Sequence, residues 1–137
     1  MMTLIKEVLP IIQEPDVIFL RNKAKDFAVR IGMGLVGQTK LLTAASELVR
    51  NMLRYGNGGE ATLEVVVRNN VKGVRLTFAD KGPGIPDVKQ AMQDGFTTGK
   101  SLGMGLPGAK RLSNEFAIKS EVGQGTTVTI IRWSNGV

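Results

Sequence analysis

One stretch constrains this chain more than any other. Asp80 to Leu112, DKGPGIPDVKQAMQDGFTTGKSLGMGLPGAKRL, carries Gly82, Gly84, Gly95, Gly99, Gly103, Gly105 and Gly108 within 33 residues. Glycine loses more backbone freedom on ordering than any other residue, so such a run is a poor helix or strand interior and reads as a loop held at both ends. Val74 to Ala79 (VRLTFA) before it is strand-like and delivers Asp80 to the end of a sheet. Leu106 to Leu112 after it reads as the first turns of a helix. An acidic residue at a strand end, a glycine loop and a helix start together suit a nucleotide. Glycines let backbone N–H groups approach phosphate, and a helix start adds partial positive charge. The plainer alternative is a connection made of tight turns. Gly103-Met104-Gly105-Leu106-Pro107-Gly108 also matches G-x-G-x-x-G. That dinucleotide fingerprint follows a strand directly, whereas here about twenty residues intervene.

The chain of 137 residues, 42% hydrophobic and 22% charged, suits one soluble globular domain spanning residues 1–137. No apolar run approaches a membrane span and no signal-peptide pattern opens the chain, so no membrane partner is expected. Cysteine is absent, which removes disulfides and thiolate chemistry and fits a cytoplasmic setting. Histidine is absent too, which excludes serine–histidine catalysis, histidine-ligated zinc and a phosphohistidine on this chain. Acid–base chemistry would then fall to a carboxylate. The net charge of +6 and pI near 9.9 favour an anionic ligand or acidic partner. The Lys and Arg residues are scattered and only 5% of the chain is aromatic, so a nucleic-acid partner is not expected.

Taken in order, Thr3 to Ile12 reads as a short strand interrupted by Pro10. Pro15-Asp16 starts a helix whose apolar residues fall at 17, 20, 24, 27, 28 and 31. Gly37 opens a second helix to about Tyr55, closed by Gly56, Gly58 and Gly59. Its apolar stripe is Leu41, Ala45, Leu48 and Met52; Lys40, Thr43, Glu47, Arg50, Asn51 and Arg54 lie opposite. Glu47 and Asn51, four residues apart, stack on that polar side, which in isolation is simply a solvated helix face. Ala61 to Arg68 alternates and pairs as a hairpin with Val74 to Ala79, through turns at Asn69-Asn70 and Lys72-Gly73. Pro86-Asp87 opens a short helix to about Gln93. Phe116 to Glu121 and Thr126 to Trp133 are strands joined by a turn at Gly123 to Gly125. The predicted fold is an α/β (α+β) two-layer sandwich, a mixed, largely antiparallel sheet with helices on one face.

Four segments in order resemble the nucleotide site of the gyrase–Hsp90–histidine kinase–MutL (GHKL) superfamily, whose fold is the Bergerat ATP-binding fold. Glu47-Leu48-Val49-Arg50-Asn51 resembles its N box and Asp80-Lys81-Gly82-Pro83-Gly84 its first glycine box. Gly99 to Leu106, with Lys100, Ser101, Leu102, Gly103, Met104 and Gly105 between, resembles the second; Gly125-Thr126 resembles the third. The resemblance covers the chain from residue 16 onward and implies ATP or ADP with Mg²⁺ as cofactors. It implies Asn51 as the Mg²⁺ ligand, and Glu47 as the carboxylate that acts as, or assists, a general base. It implies Asp80 as acceptor for the adenine amino group, on a turn made by Gly82 and Gly84, with Thr126 supporting the adenine end. Phe96 to Leu102 resembles the ATP lid; the resemblance implies that Gly103 and Gly105 would bring N–H groups to phosphate, and that Lys100 either reaches a phosphate or is solvated.

Within the superfamily, the Asp94-Gly95-Phe96, the Gly105-Leu106-Pro107-Gly108 and the Lys110 to Phe116 segment resemble the small stand-alone RsbT-type serine/threonine kinases of bacterial partner-switching systems. That resemblance implies phosphorylation of a STAS-domain protein and, on release, activation of a PP2C-type phosphatase. The anti-sigma-factor branch is more distant, since a His-Gly usually follows its N-box helix where this chain has Tyr55-Gly56. It implies the alternative of a nucleotide-gated binding regulator. Sheet edges and helices can also support a homodimer.

Overall fold

The computed structural model describes residues 1–93 and 105–136. Its elements run β1 (Met2–Ile11), α1 (Pro15–Arg30), α2 (Leu35–Tyr55), β2 (Gly59–Arg68), β3 (Val71–Asp80), α3 (Val88–Ala91), α4 (Leu106–Arg111), β4 (Glu115–Glu121) and β5 (Gly125–Trp133). The strands form one sheet in the order β1-β2-β3-β5-β4, with all four pairings antiparallel. Helices α1 and α2 cover one face of it. This is the expected two-layer sandwich.

Alternation along the strands decides what each face carries. Leu63 stands opposite Leu76 and Leu76 opposite Ile130; one step along, Ala61 faces Phe78 and Phe78 faces Val128. These side chains are buried beneath Val17, Leu20, Ala24 and Phe27 of α1 and Leu41, Ala45, Leu48 and Met52 of α2. The same alternation puts Asp80, two residues beyond Phe78, on the helix-covered face at one end of the sheet. It puts Arg132, two residues beyond Ile130, on that face at the other end.

Local chemistry explains the boundaries. Pro15 and Asp16 open α1, and Asp16 Oδ2 accepts from the Ile12 and Gln13 amides at 2.9 and 3.0 Å. Helix α2 begins at Leu35, two residues before the expected Gly37, because Gly34 takes the extended N-cap conformation and Gly37 is already helical. Strand β1 runs through Pro10 instead of breaking there. It is an edge strand, where a residue without an N–H can be spared a partner on the open side. Asn69 and Asn70, at φ 51° and 64°, complete the β2–β3 turn by themselves. Lys72 and Gly73 therefore belong to β3 and not to the turn. Gly73 lies under the Trp133 ring, where a Cβ would come within 2.7 Å of the indole.

The uncovered face is held by charge pairs. Arg75 grips Glu64 with two 2.9 Å hydrogen bonds, and Thr3 Oγ1 donates to the same carboxylate at 3.1 Å. Arg68 reaches Glu115 at 2.7 Å, lies 5.1 Å over the Trp133 ring, and Trp133 Nε1 donates to Glu115 at 2.8 Å. Glu64 is 8% exposed, and the Arg75 guanidinium holds its carboxyl below the ordinary value despite the opposing cost of burial. A lowered folded-state pKa contributes stability that is full above the unfolded-state pKa and disappears as the pH falls through the folded-state one. Glu64→Gln should therefore cost about 1–3 kcal/mol at neutral pH. Urea unfolding of both proteins should show that difference shrinking below about pH 4. A difference independent of pH would remove the Glu64 charge from the explanation.

Candidate nucleotide site

Asp80 ends β3 at a point where three segments meet. Its Oδ1 accepts from the backbone N–H of Gly82 at 2.9 Å and from that of Thr126 at 3.0 Å. The first donor belongs to the turn that follows Asp80 and the second to the start of β5. Two donors on one oxygen fix the carboxylate plane and leave Oδ2 directed elsewhere. Gly56, just past the end of α2, sits against that second oxygen: a Cβ there would come within 2.5 Å of Oδ2. Gly82 in turn packs on the Gly56 backbone. Gly84, at φ +80°, turns the chain tightly against the Glu121 carbonyl, a conformation that disfavours any residue with a Cβ.

Beside Asp80 lies a partly open pocket. Leu48 and Met52 of α2, Phe78 and Val128 of the sheet, Ile85 and Leu106 make its apolar walls. Asp80, Thr126 and Asn51 supply its polar groups. A mostly apolar cleft with a few convergent polar groups suits a small flat ligand. An accepting carboxylate oxygen at its edge suits a ring that carries an amino group. Thr126 is held twice: its amide donates to Asp80, and its hydroxyl shares a 2.7 Å hydrogen bond with Ser120 Oγ. Ser120 Oγ also accepts from the Ile85 amide at 2.7 Å, which ties the pocket wall to β4.

Glu47 and Asn51 lie one turn apart on α2, Glu47 exposed and Asn51 half-buried, and α4 begins against both. A Cβ on Gly105, the residue before α4, would stand 3.0 Å from Asn51 Nδ2 and 3.2 Å from Glu47 Oε2. Polar side chains that helical periodicity alone assigns to solvent thus flank the end of the glycine loop. The structure brings together Glu47, Asn51, Asp80, Gly82, Gly84, Gly105, Leu106 and Thr126. Lys100, Ser101, Leu102, Gly103 and Met104 lie outside the described residues. Among the described residues, no three acidic or histidine side chains cluster to hold a metal. The amide of Asn51 beside the Glu47 carboxylate fits Mg²⁺, which takes most of its oxygen ligands from phosphates and water.

Residues 37–135 match the model of the family described as histidine kinase-, DNA gyrase B- and HSP90-like ATPase. The chain belongs to that family. It is 42% identical over 123 residues to the serine/threonine-protein kinase RsbT of Bacillus subtilis, a match covering 90% of this chain and 92% of RsbT. It is 33% identical over 117 residues to the anti-sigma F factor of Geobacillus kaustophilus, covering 80% and 79% of the two chains. Among solved structures, the mycobacterial sensor histidine kinase MprB superposes with a TM-score of 0.54 at 16% identity, over 94% of this chain and 97% of that one. At that identity the likeness is one of fold. Within its family the chain is RsbT-like along nearly its whole length.

Sequence reasoning missed Gly56, Ser120, Ile85 and the wall residues Leu48, Met52, Phe78 and Val128. Ser120 had a signal: it follows Phe116 and Ile118 in alternation, so a hydroxyl points where an apolar side chain belongs. Asp80→Asn keeps an oxygen for the two amides but puts a donor in place of Oδ2. It should lose about ten- to a hundredfold in affinity for ATP and ADP in calorimetry, with little change in melting. Gly56→Ala should weaken binding in the same direction. GTP should bind the wild type far more weakly than ATP, because guanine presents an acceptor to the carboxylate. Equal binding of GTP, or an unaffected Asn variant, would remove Asp80 from base recognition.

Proposed function

We propose that this chain is an ATP-dependent protein serine/threonine kinase of a bacterial partner-switching pathway. It phosphorylates a STAS-domain antagonist protein and, once released, activates a PP2C-type phosphatase. The observation that carries the reading is the contact of Gly105 with both Glu47 and Asn51, at one end of a pocket whose polar edge is Asp80. A chain that only captured nucleotide would need neither a metal ligand nor a base beside the phosphates. The RsbT-like sequence supports the choice of serine or threonine as acceptor.

Each residue then has a task. Asp80 Oδ2 accepts from the adenine amino group, and the apolar walls hold the ring. Gly105, at the start of α4, presents its N–H to the phosphates. Asn51 would hold Mg²⁺ through its amide oxygen, and the ion would supply positive charge to offset that on the transferring group. Glu47 orients the acceptor hydroxyl and takes its proton as the new oxygen–phosphorus bond forms. The bond from the γ-phosphorus to the bridging oxygen breaks, and ADP leaves. The phosphoryl group adds nearly two negative charges to the interface between kinase and substrate, which drives the two apart.

A partner-switching kinase of this kind would work in the cytoplasm. Among the described residues no helix is long and apolar enough to cross a membrane. β1, at an edge of the sheet, offers a second copy a place to pair as a homodimer. A second reading rests on the anti-sigma F factors, to which the chain is similar over most of its length. In it, nucleotide occupancy gates the capture of a partner.

Labelled ATP, Mg²⁺ and STAS-domain candidates decide between them. Wild type should place label on serine or threonine, and Asn51→Ala should not. Glu47→Gln should lower kcat by about 10²–10⁴ while ATP binding stays near wild type. Equal losses in turnover and binding would make Glu47 a structural residue. Tight ATP-dependent capture of a partner without label would favour the binding regulator.

A further inference from the structure

Arg132 is a cation in the core. It is 2% exposed, on the helix-covered face of β5, and burial alone pushes its guanidinium below the ordinary value. Among the described residues no carboxylate pairs with it, and its Nε has no hydrogen-bond partner. That Nε lies beside the first turns of α2, 3.6 Å from where a Cβ on Gly37 would stand. A cation near a helix N-terminus meets the unfavourable end of the dipole. Two costs therefore attach to this residue, desolvation without a counter-charge and a misplaced helix end.

One contact offsets them. Arg132 Nη1 donates to the carbonyl of Leu112 at 2.9 Å. Leu112 is the C-cap of α4, where last-turn carbonyls lack helical partners and a cation is favoured. Only six residues long, α4 can do little to hold itself in place. Its opposite end, Gly105, is the residue in contact with Glu47 and Asn51. Strand β5, the end of α4 and the transfer end of the pocket are thus joined in one chain of contacts.

We propose that Arg132 is a positioning residue for phosphoryl transfer: it anchors the C-terminal end of α4, so that Gly105 stays seated against Glu47 and Asn51. The proposal rests on the kinase reading for its effect on turnover, but the anchoring itself does not. A buried charge without an anionic partner contributes little to stability, and an apolar replacement of similar length is often neutral or stabilising. Function and stability should therefore separate at this position.

The test compares wild type, Arg132→Met and Arg132→Lys in the full chain. Melting of the Met variant should stay within about 5 °C of wild type. Amide exchange, read on the nucleotide-free protein, should quicken at Ala109 and Leu112, whose N–H groups donate to Gly105 and Gly108 within α4. The change should be at least about tenfold there, with the central strands unchanged. In the phosphotransfer assay kcat should fall about tenfold while the KM for ATP moves less than about threefold, since Asp80 is untouched. Arg132→Lys, which keeps a charged donor, should recover most of both effects. Wild-type exchange in α4 for the Met variant overturns the proposal. So does a Met variant that fails to fold or exchanges faster everywhere, because Arg132 is then a structural residue. If wild type phosphorylates no candidate substrate, the kinase reading fails by itself, and exchange at Ala109 and Leu112 still decides whether Arg132 holds α4.

Discussion

The site depends on one oxygen atom. Asp80 Oδ1 receives the amides of Gly82 and Thr126, and so joins the end of β3, the turn after it and the start of β5. Without that double acceptance, two N–H groups at the end of the sheet would need other partners, and the carboxylate could turn. With it, the carboxylate is held at a fixed angle at the edge of the pocket before any ligand arrives. A preoriented acceptor loses little entropy on binding, which would let one small contact discriminate between bases. The glycine at position 56 follows from the same demand, since it keeps space for Oδ2 where the chain leaves α2.

Helix α2 ties the Asp80 end of the pocket to the end where α4 begins. Leu48 and Met52 face inward as pocket walls, while Glu47 and Asn51 project from neighbouring positions toward the start of α4. One helix thus sets both the depth of the pocket and the place of the carboxylate and amide. Because its buried stripe packs on β3 and β5, neither pair can shift without moving the core. The short α4 has no comparable stripe. It holds its place through Leu106, Ala109 and the Arg132 contact at its far end.

What the sequence discloses and what it conceals divide along physical lines. Glu47 and Asn51 at helical spacing, Asp80 after a strand and the dense glycines are legible because spacing and backbone freedom are local properties. The fold class is legible for the same reason: alternation in β2 and β5 and the 3.6-residue stripe of α2 each declare an element. Pro10 misleads because its tolerance depends on β1 lying at an edge, which only the assembled sheet decides. Lys72 and Gly73 mislead because two asparagines in the left-handed region already close the turn. Gly56 and Ser120 act on residues far away in the chain, Asp80 and Ile85, so no window of sequence contains both partners. The scattered positive charge is ambiguous in sequence for a related reason. Part of it, Arg68 and Arg75, is spent on carboxylates across the uncovered face, and only pairing in space reveals that.

The distribution of packing explains how so small a chain carries a glycine-rich site. Glycines bury no side chain, so the end of the sheet that holds Asp80, Gly82, Gly84 and Gly125 adds little hydrophobic stabilisation. Leu20, Phe27, Leu41, Leu63, Leu76 and Ile130, all fully buried, concentrate it between the two helices and the middle of the sheet. The uncovered face adds the Glu64–Arg75 pair and the Arg68–Glu115–Trp133 cluster, well along the strands from the pocket. With stability supplied there, the pocket end is free to keep open space and tight backbone contacts. It follows that substitutions on the uncovered face and at the pocket should be close to additive, because they share no partner. Arg132 is the exception, since its cost is paid in the core and its effect is felt at Gly105.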